Sequence, residues 1–399
     1  MNLIKRIYCR AFQTVFKLAI PILPYRLPKI LNSVDEIASL LVSKKVSSVL
    51  LITDNFLRTS KLTENLEKLL EQNNIKCAVY DKTQANPTII NVEEARGLYI
   101  QNGCQMIIAF GGGSPMDCAK AVGARIACPN RSINQLKGIL KVWKKIPTLI
   151  AIPTTAGTGS EVTVASLITD SETKHKCTIN SFPLIPHYAV LDPVITYSLP
   201  KHLTSTTGLD ALTHAVEAYI GNSTTQQTRE CALEATRMIF ENISIAYNDG
   251  TNYEARKNML NASHKAGIAF TKSYVGYVHA IAHTLGGQYN IAHGLANAVL
   301  LPVVLEEYGD KIYRKLYELA LYVGICEKED SYEVGAKKFI ASIKELNRTL
   351  NIPTSFKDIV DEDIPLMARH ADKEANPLYP VPMLWDIEKL EKIYHKVKE

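Results

Sequence analysis

Continuous apolar runs recur through the first half of the chain: VLLIT at 49–53, CAVY at 77–80, MIIAF at 106–110 and TLIAI at 148–152. Polar stretches with helical spacing separate them, one from Thr59 to Asn73 and another opening at Asn91, with Glu94 three residues on at capping-box spacing. Strands without polar alternation are buried on both faces, so the pattern predicts a mostly parallel sheet covered by helices. From Leu203 the pattern changes to long helical segments, among them LDALTHAVEAYI, TRECALEATRMIF and, from Val334, VGAKKFIASIKEL. The two prolines of LDPVITYSLP suit a turn between domains and put the boundary near Pro200. The fold expected is thus an α/β domain over 1–200 followed by an all-helical domain over 201–399.

Ahead of the first strand lies an arm, MNLIKRIYCRAFQTVFKLAIPILPYRLPK, in which Ile4, Tyr8, Phe12, Phe16 and Ala19 recur at helical spacing. Such a stripe is expected to dock on the protein body in preference to a membrane surface. Lys17 interrupts the apolar run, Pro21 and Pro24 break it, and no small-residue cleavage site follows. A signal peptide and a bilayer span are therefore not expected.

Composition narrows the classes further. A chain of 399 residues with 46% hydrophobic and 21% charged residues is long enough for two cores and is not disordered. Its net charge of +5, from 45 Lys and Arg against 40 Asp and Glu, is mild and forms no long basic run, so nucleic acid is not implied. The eight cysteines, at 9, 77, 104, 118, 128, 177, 231 and 326, never form a C-x-x-C pair. Reduced thiols in a cytoplasmic protein are expected.

The segment Gly111-Gly112-Gly113-Ser114-Pro115-Met116-Asp117 follows a predicted buried strand and opens a predicted helix. Glycines there bring backbone amides close to a ligand, and the helix dipole favours a phosphate. Ser114 suits the cap, Pro115 the first helical position and Asp117 the capping-box partner. The motif is not the G-x-G-x-x-G fingerprint. Asp54, just after the first strand, suits either an adenosine ribose, which favours NAD over NADP, or a local turn cap. A second polar loop, Pro153-Thr154-Thr155-Ala156-Gly157-Thr158-Gly159-Ser160-Glu161, follows the strand ending at Ile152 and belongs to the same edge of the sheet.

Asp210 and His214 stand four apart, as do His279 and His283, and His293 follows ten residues later. That spacing puts each pair on one helix face. A carboxylate with imidazoles suits Fe²⁺ or Zn²⁺ better than Mg²⁺ or Ca²⁺. Glu217, three beyond His214, either supports a ligand or is a helix-surface charge.

The runs GGGSPMD, PTTAGTGSEVT, GLDALTHAVEAY and HAIAHTLGGQYNIAHGLANAVLLP, with ANPLYPVP at 375–382, make the chain resemble the iron-containing, group III alcohol dehydrogenases from Val49 to Pro302. The resemblance implies an N-terminal Rossmann-like dinucleotide-binding domain and a C-terminal all-helical metal-binding domain. It implies Asp210, His214, His279 and His293 as metal ligands and His283 as an active-site histidine near substrate and nicotinamide. Asp54, Gly112, Gly113, Ser114, Thr154, Thr155, Thr158 and Lys176 are implied as NAD contacts. Lys176 rests on the less distinctive ITDSETKHK. One departure is ILNSVDEIASLL, which lacks the family's glycine-containing turn before the first helix.

The expected activity is reversible hydride transfer between NAD(H) and a primary or secondary alcohol or its aldehyde, in a homodimer with no membrane partner. The rival from another class is a non-redox NAD- and metal-binding lyase of the dehydroquinate-synthase type, which would want a basic cluster for an anionic substrate. A silent scaffold and a metal-free reductase of the maleylacetate type are disfavoured by the complete ligand set.

Overall fold

The computed structural model describes residue 1, residues 3–171 and residues 176–399. The chain divides into two compact units, Pro24–Ser198 and a second made of Met1–Leu23 with Leu199–Glu399.

The first unit holds strands β1 (Lys29–Leu31), β2 (Ser48–Ile52), β3 (Lys76–Tyr80), β4 (Met106–Gly111), β5 (Gly138–Ile139), β6 (Thr148–Pro153), β7 (Ala165–Thr169), β8 (Lys176–Asn180) and β9 (Tyr188–Val190). Six form one parallel sheet in the order β1-β9-β6-β4-β2-β3, and β5-β8-β7 form a small mixed sheet. The central strands are buried on both faces. Leu50, Ile52, Ile107, Ala109, Leu149 and Ala151 enter one apolar cluster, while Val49, Leu51, Ile108, Phe110, Ile150 and Ile152 enter another. This period-two division is what turns a strand into an uninterrupted apolar run.

The predicted runs coincide with β2, β3, β4 and β6. β1, β5 and β9 are too short to show any periodicity. The helical stretch expected from Thr59 breaks into Asn55–Thr59 and Glu64–Gln72. The next helix, Ile89–Gln101, is capped by Thr88, with Asn91 as the returning partner of the capping box. Glu94 lies inside that helix and accepts from the Tyr80 hydroxyl at 2.9 Å. The box is therefore Thr88 with Asn91, three residues earlier than the spacing of Asn91 and Glu94 suggested.

The helices of the second unit include Lys201–Ile220, Gln226–Asn248, Tyr253–Ser273, Tyr277–Tyr289, His293–Tyr308 and Ile364–Ala375. Lys201–Ile220 packs against the next two and against His293–Tyr308, and every residue from Gly208 to Ile220 is buried. A helix enclosed in this way can carry polar groups only where something partners them.

The arm helix, Leu3–Ala19, groups with this helical unit and not with the α/β unit to which the sequence reading assigned it. Its fastening explains why. Lys5 pairs with Asp372 at 2.6 Å, Gln13 donates to the Tyr379 carbonyl at 2.7 Å, and Arg10 donates to the carbonyls of Val381 and Pro382 at 2.8 and 3.0 Å. Of the expected stripe, Phe12, Phe16 and Ala19 are half-buried, whereas Ile4 and Tyr8 are exposed. Cys9 and Gln13 occupy the buried positions. Polar side chains reaching for carbonyls set the docked face, and apolar periodicity does not register them. No helix among the described residues is long and apolar enough to cross a membrane.

Candidate metal centre and nucleotide loops

In the parallel sheet, β2 stands between β3 and β4, so successive connections leave it in opposite directions. The crevice at the carboxyl ends of β2 and β4 is the topological switch point, where open α/β sheets receive ligands. Asp54 lies just past β2, Gly112 and Gly113 just past β4, and the loop from Thr154 to Thr158 follows β6, the neighbour of β4.

The glycine helix opens earlier than expected. It spans Gly113–Ala127 with Gly112 at the cap position and no side-chain cap. Ser114 donates instead to the Ala85 carbonyl at 2.5 Å, and the Asp117 carboxylate accepts from the Leu167 amide and the Ser160 hydroxyl, both at 3.1 Å. The Ser114–Asp117 capping box therefore does not form. A helix N-terminus with no side-chain cap suits an anionic ligand.

The second loop lies directly against the first. The Thr154 amide donates to the Gly111 carbonyl at 3.1 Å, and a Cβ on Gly113 would stand 3.2 Å from the Thr158 methyl. Thr155 Oγ1 is equally close to Gly112, 3.4 Å from where a Cβ would sit. Asp54 caps the helix Asn55–Thr59, one carboxylate oxygen accepting from the Leu57 amide at 2.8 Å. Lys176 opens β8, and its side chain lies outside the described residues.

Lys120, which the sequence reading missed, ties the two loops together. Fully buried, it donates to Ser160 Oγ and Thr163 Oγ1 at 2.9 Å and to the Ala165 carbonyl at 2.8 Å. Burial pushes its ammonium down to about 8, against the upward pull of Asp117 and Glu161. A lysine in the small, apolar stretch CAKAV was the available signal.

In the helical unit, Asp210, His214, His279 and His293 each bring one ligand atom to a common point, all within 4.8 Å of one another. Asp210 and His214 come from the central helix, His279 from Tyr277–Tyr289 and His293 from the first turn of His293–Tyr308. Close backbone packing makes this convergence possible. A Cβ on Gly294 would fall 2.3 Å from the Thr206 carbonyl, so glycine lets the His293 helix approach the Asp210 helix. Gly276 is likewise required, because a Cβ there would stand 2.6 Å from Glu217 Oε1.

Glu217 is a buried support and not a surface charge. It accepts from the Gly276 and Val278 amides at 2.8 Å and meets His279 Nδ1 at 2.6 Å. Burial pushes its carboxyl up to about 7 even though those amides pull it down. Burial, then the neighbouring imidazoles, hold His279 well below its ordinary value, so the ring is neutral and donates Nδ1–H to Glu217. Its Nε2 is then a lone pair. That atom is buried, has no hydrogen-bond partner, and lies 3.9 Å from Asp210 Oδ1. A buried acceptor left without a donor, facing a carboxylate and two further imidazoles, fits a divalent cation. Asn297 steadies Asp210, Nδ2 donating to Oδ1 at 2.6 Å.

His283 lies one turn beyond His279 and stacks on His293 with ring centres 5.0 Å apart. Its Nδ1 meets Glu374 Oε1 at 2.6 Å, and the same oxygen accepts from the Tyr379 hydroxyl at 2.7 Å. Burial tends to raise Glu374, yet His283 and Tyr379 hold it below the usual carboxylate value. Glu374 escaped the sequence reading although it immediately precedes ANPLYPVP.

Family models match nearly the whole chain: iron-containing alcohol dehydrogenase over residues 30–193, and the C-terminal model of the Fe-containing alcohol dehydrogenase family over 204–397. Alcohol dehydrogenase 4 of Saccharomyces cerevisiae is 38% identical over 348 residues, 86% of this chain and 89% of that protein. The crystal structure of a 1,3-propanediol oxidoreductase superposes with a TM-score of 0.90 at 34% identity, covering 94% of this chain and 99% of its own. Sulfoacetaldehyde reductase from Bifidobacterium kashiwanohense, solved in complex with NAD+, superposes with a TM-score of 0.83 at 27% identity, over 94% of this chain and 98% of its own.

Proposed function

The chain belongs to the iron-containing alcohol dehydrogenase family, and from that footing we propose that Asp210, His214, His279 and His293 hold its metal ion, that His283 handles the substrate proton, and that Asp54, Gly112, Gly113, Ser114, Thr154, Thr155, Thr158 and Lys176 receive NAD. The protein is an oxidoreductase of alcohols and aldehydes that uses NAD and iron. When bound, the ion supplies Lewis acidity toward an alcohol or carbonyl oxygen, and the nicotinamide takes up or returns the hydride.

The protein's own residues do the rest. Glu217 fixes the tautomer of His279, so that Nε2 presents its lone pair to the ligand cluster. Glu374 does the same for His283: with Nδ1 committed to that carboxylate, Nε2 is the atom that takes the hydroxyl proton in oxidation and gives it back in reduction. Asp54, at the end of β2, repels a 2′-phosphate and favours NAD over NADP. The helix N-terminus at Gly113 receives the pyrophosphate.

The observation that carries this reading is the convergence of four ligand atoms within 4.8 Å around the partnerless Nε2 of His279. The test is His279→Ala, followed by bound iron after anaerobic reconstitution and by NADH oxidation with straight-chain, branched and hydroxylated aldehydes. Retention of both metal and turnover refutes the assignment. The lyase alternative is not favoured by relatives that are alcohol dehydrogenases. The reading extends to a homodimer in the cytoplasm, supported by eight free thiols and by the predominance of two-fold dimers among soluble oligomers. Light scattering of the purified protein tests the dimer.

A further inference from the structure

The arm helix keeps a second apolar face outside. Lys5, Arg10 and Gln13 fasten it to the body, while Ile4, Ile7, Tyr8, Val15, Leu18 and Ile22, just past its end, are 59% to 84% exposed. At about 100° per residue these side chains, with Ala11, fill one arc bordered by Thr14, on the side away from the docked Cys9 and Gln13. Water is a poor partner for an apolar face of this extent.

Charge identifies the better one. The first 34 residues contain six Lys and Arg and no Asp or Glu, which leaves 39 basic against 40 acidic residues in the remainder. The whole positive excess of the protein thus falls within its first 34 residues, four of those charges on this helix: Lys5 and Arg10 face the body, and Arg6 and Lys17 are exposed along the flank. A second copy would answer the apolar face but would bring two such cationic segments together. A surface that is apolar beneath and anionic at the rim satisfies both. The family's chemistry does not account for the arm, since the matched segments begin at residue 30.

We propose that the arm helix seats this enzyme on an anionic phospholipid bilayer surface, its outward apolar arc at the acyl boundary and Arg6 and Lys17 among the headgroups. The helix lies in the plane of the interface, about 25 Å long at 1.5 Å per residue, with the protein body on its opposite side. The docking anticipated from the sequence is real, but it uses only Phe12, Phe16 and Ala19 of the expected stripe, together with Cys9, Gln13 and the polar anchors.

The test is flotation of the full-length protein with vesicles of phosphatidylcholine and phosphatidylglycerol in equal parts, and with vesicles of phosphatidylcholine alone. The expected result is co-flotation with the mixed vesicles, at least about tenfold weaker for phosphatidylcholine alone, because each basic residue near an anionic surface contributes severalfold. Raising the salt from about 0.1 M to about 1 M shortens the screening length from about 10 to about 3 Å and should release the protein to a similar degree. Val15→Asp/Leu18→Asp and Arg6→Glu/Lys17→Glu should each lower the partition at least about tenfold at an unchanged thermal midpoint. Absence of flotation, equal flotation on both lipids, or flotation indifferent to the Asp pair overturns the proposal. So does an Asp pair that dissolves an oligomer while leaving flotation intact, which assigns the face to a second copy. If a variant does not fold, the lipid and salt comparisons on the unaltered protein decide.

Discussion

Glu217→Gln isolates the support beneath the proposed metal ligands without changing its size. The geometry leaves the amide no good placement. Oε2 receives two donors, the Gly276 amide at 2.8 Å and His279 Nδ1 at 2.6 Å, and Oε1 receives the Val278 amide at 2.8 Å. A glutamine that keeps its oxygen at the Oε2 position turns its NH₂ toward the Val278 N–H; flipped, it opposes the other two donors. Either way at least one buried N–H loses its acceptor, which costs about 1–3 kcal/mol. The surviving bond to His279 also weakens, because a charged acceptor is worth roughly twice a neutral one. Loss of such a support lowers metal affinity by about 10–100-fold, or about 1.4–2.7 kcal/mol. The assay is competition for the ion against a chelator of known affinity, together with the thermal midpoint of the metal-free protein. Both should fall. An unchanged metal affinity in a variant that has lost stability would show that Glu217 only fills space, and would refute the orienting role.

Lys120→Met severs the tie between the glycine helix and the second loop, and NADH binding followed by fluorescence should weaken about tenfold, about 1.4 kcal/mol, with metal content intact. Because burial holds Lys120 near 8 against an ordinary 10.5, the unfolded chain binds its proton more tightly. The stability of the wild type relative to Lys120→Met should therefore rise as pH climbs from below 8 toward 10.5, read from paired thermal midpoints. Glu374→Gln removes the negative charge beside His283 and lowers that ring's proton affinity, so the acidic limb of the kcat profile should move to lower pH without metal loss; an unmoved limb removes Glu374 from the proton path. Gly294→Ala drives a methyl against the Thr206 carbonyl and should cost about 1–3 kcal/mol of stability, with weaker metal retention, because the His293 helix must back away from Asp210.

The chain declares its chemistry more openly than its supports. β2, β4 and β6 were legible because burial on both faces writes a strand as four or five consecutive apolar letters. A spacing of four, repeated on two helices, singled out Asp210 with His214 and His279 with His283, and His293 stood ten residues on; the family resemblance chose Asp210, His214, His279 and His293 from that set as the ligands. Glu217 shares a helix with two of the proposed ligands, but spacing alone did not say whether it faces inward. Only the approach of Gly276 from another helix makes it a support. Glu374 and Lys120 act across 91 and 40 residues of chain, distances over which no periodicity operates. The arm misled in part for a different reason: its orientation is decided by carbonyls more than 360 residues away.

Those carbonyls carry a practical consequence. Gln13 and Arg10 engage the oxygens of Pro377, Tyr379, Val381 and Pro382, on the same stretch whose Tyr379 hydroxyl braces the Glu374–His283 pair. Removing the arm ahead of Pro24 would take one donor from each of these four carbonyls, a few residues from the proposed proton path. It would leave those of Pro377 and Pro382 without the side chains that hold them, whereas Tyr379 keeps the Val381 amide and Val381 the Asn222 side chain. A trimmed enzyme that turns over sluggishly would then be reporting a slackened brace, and its kinetics would be a poor stand-in for those of the intact molecule.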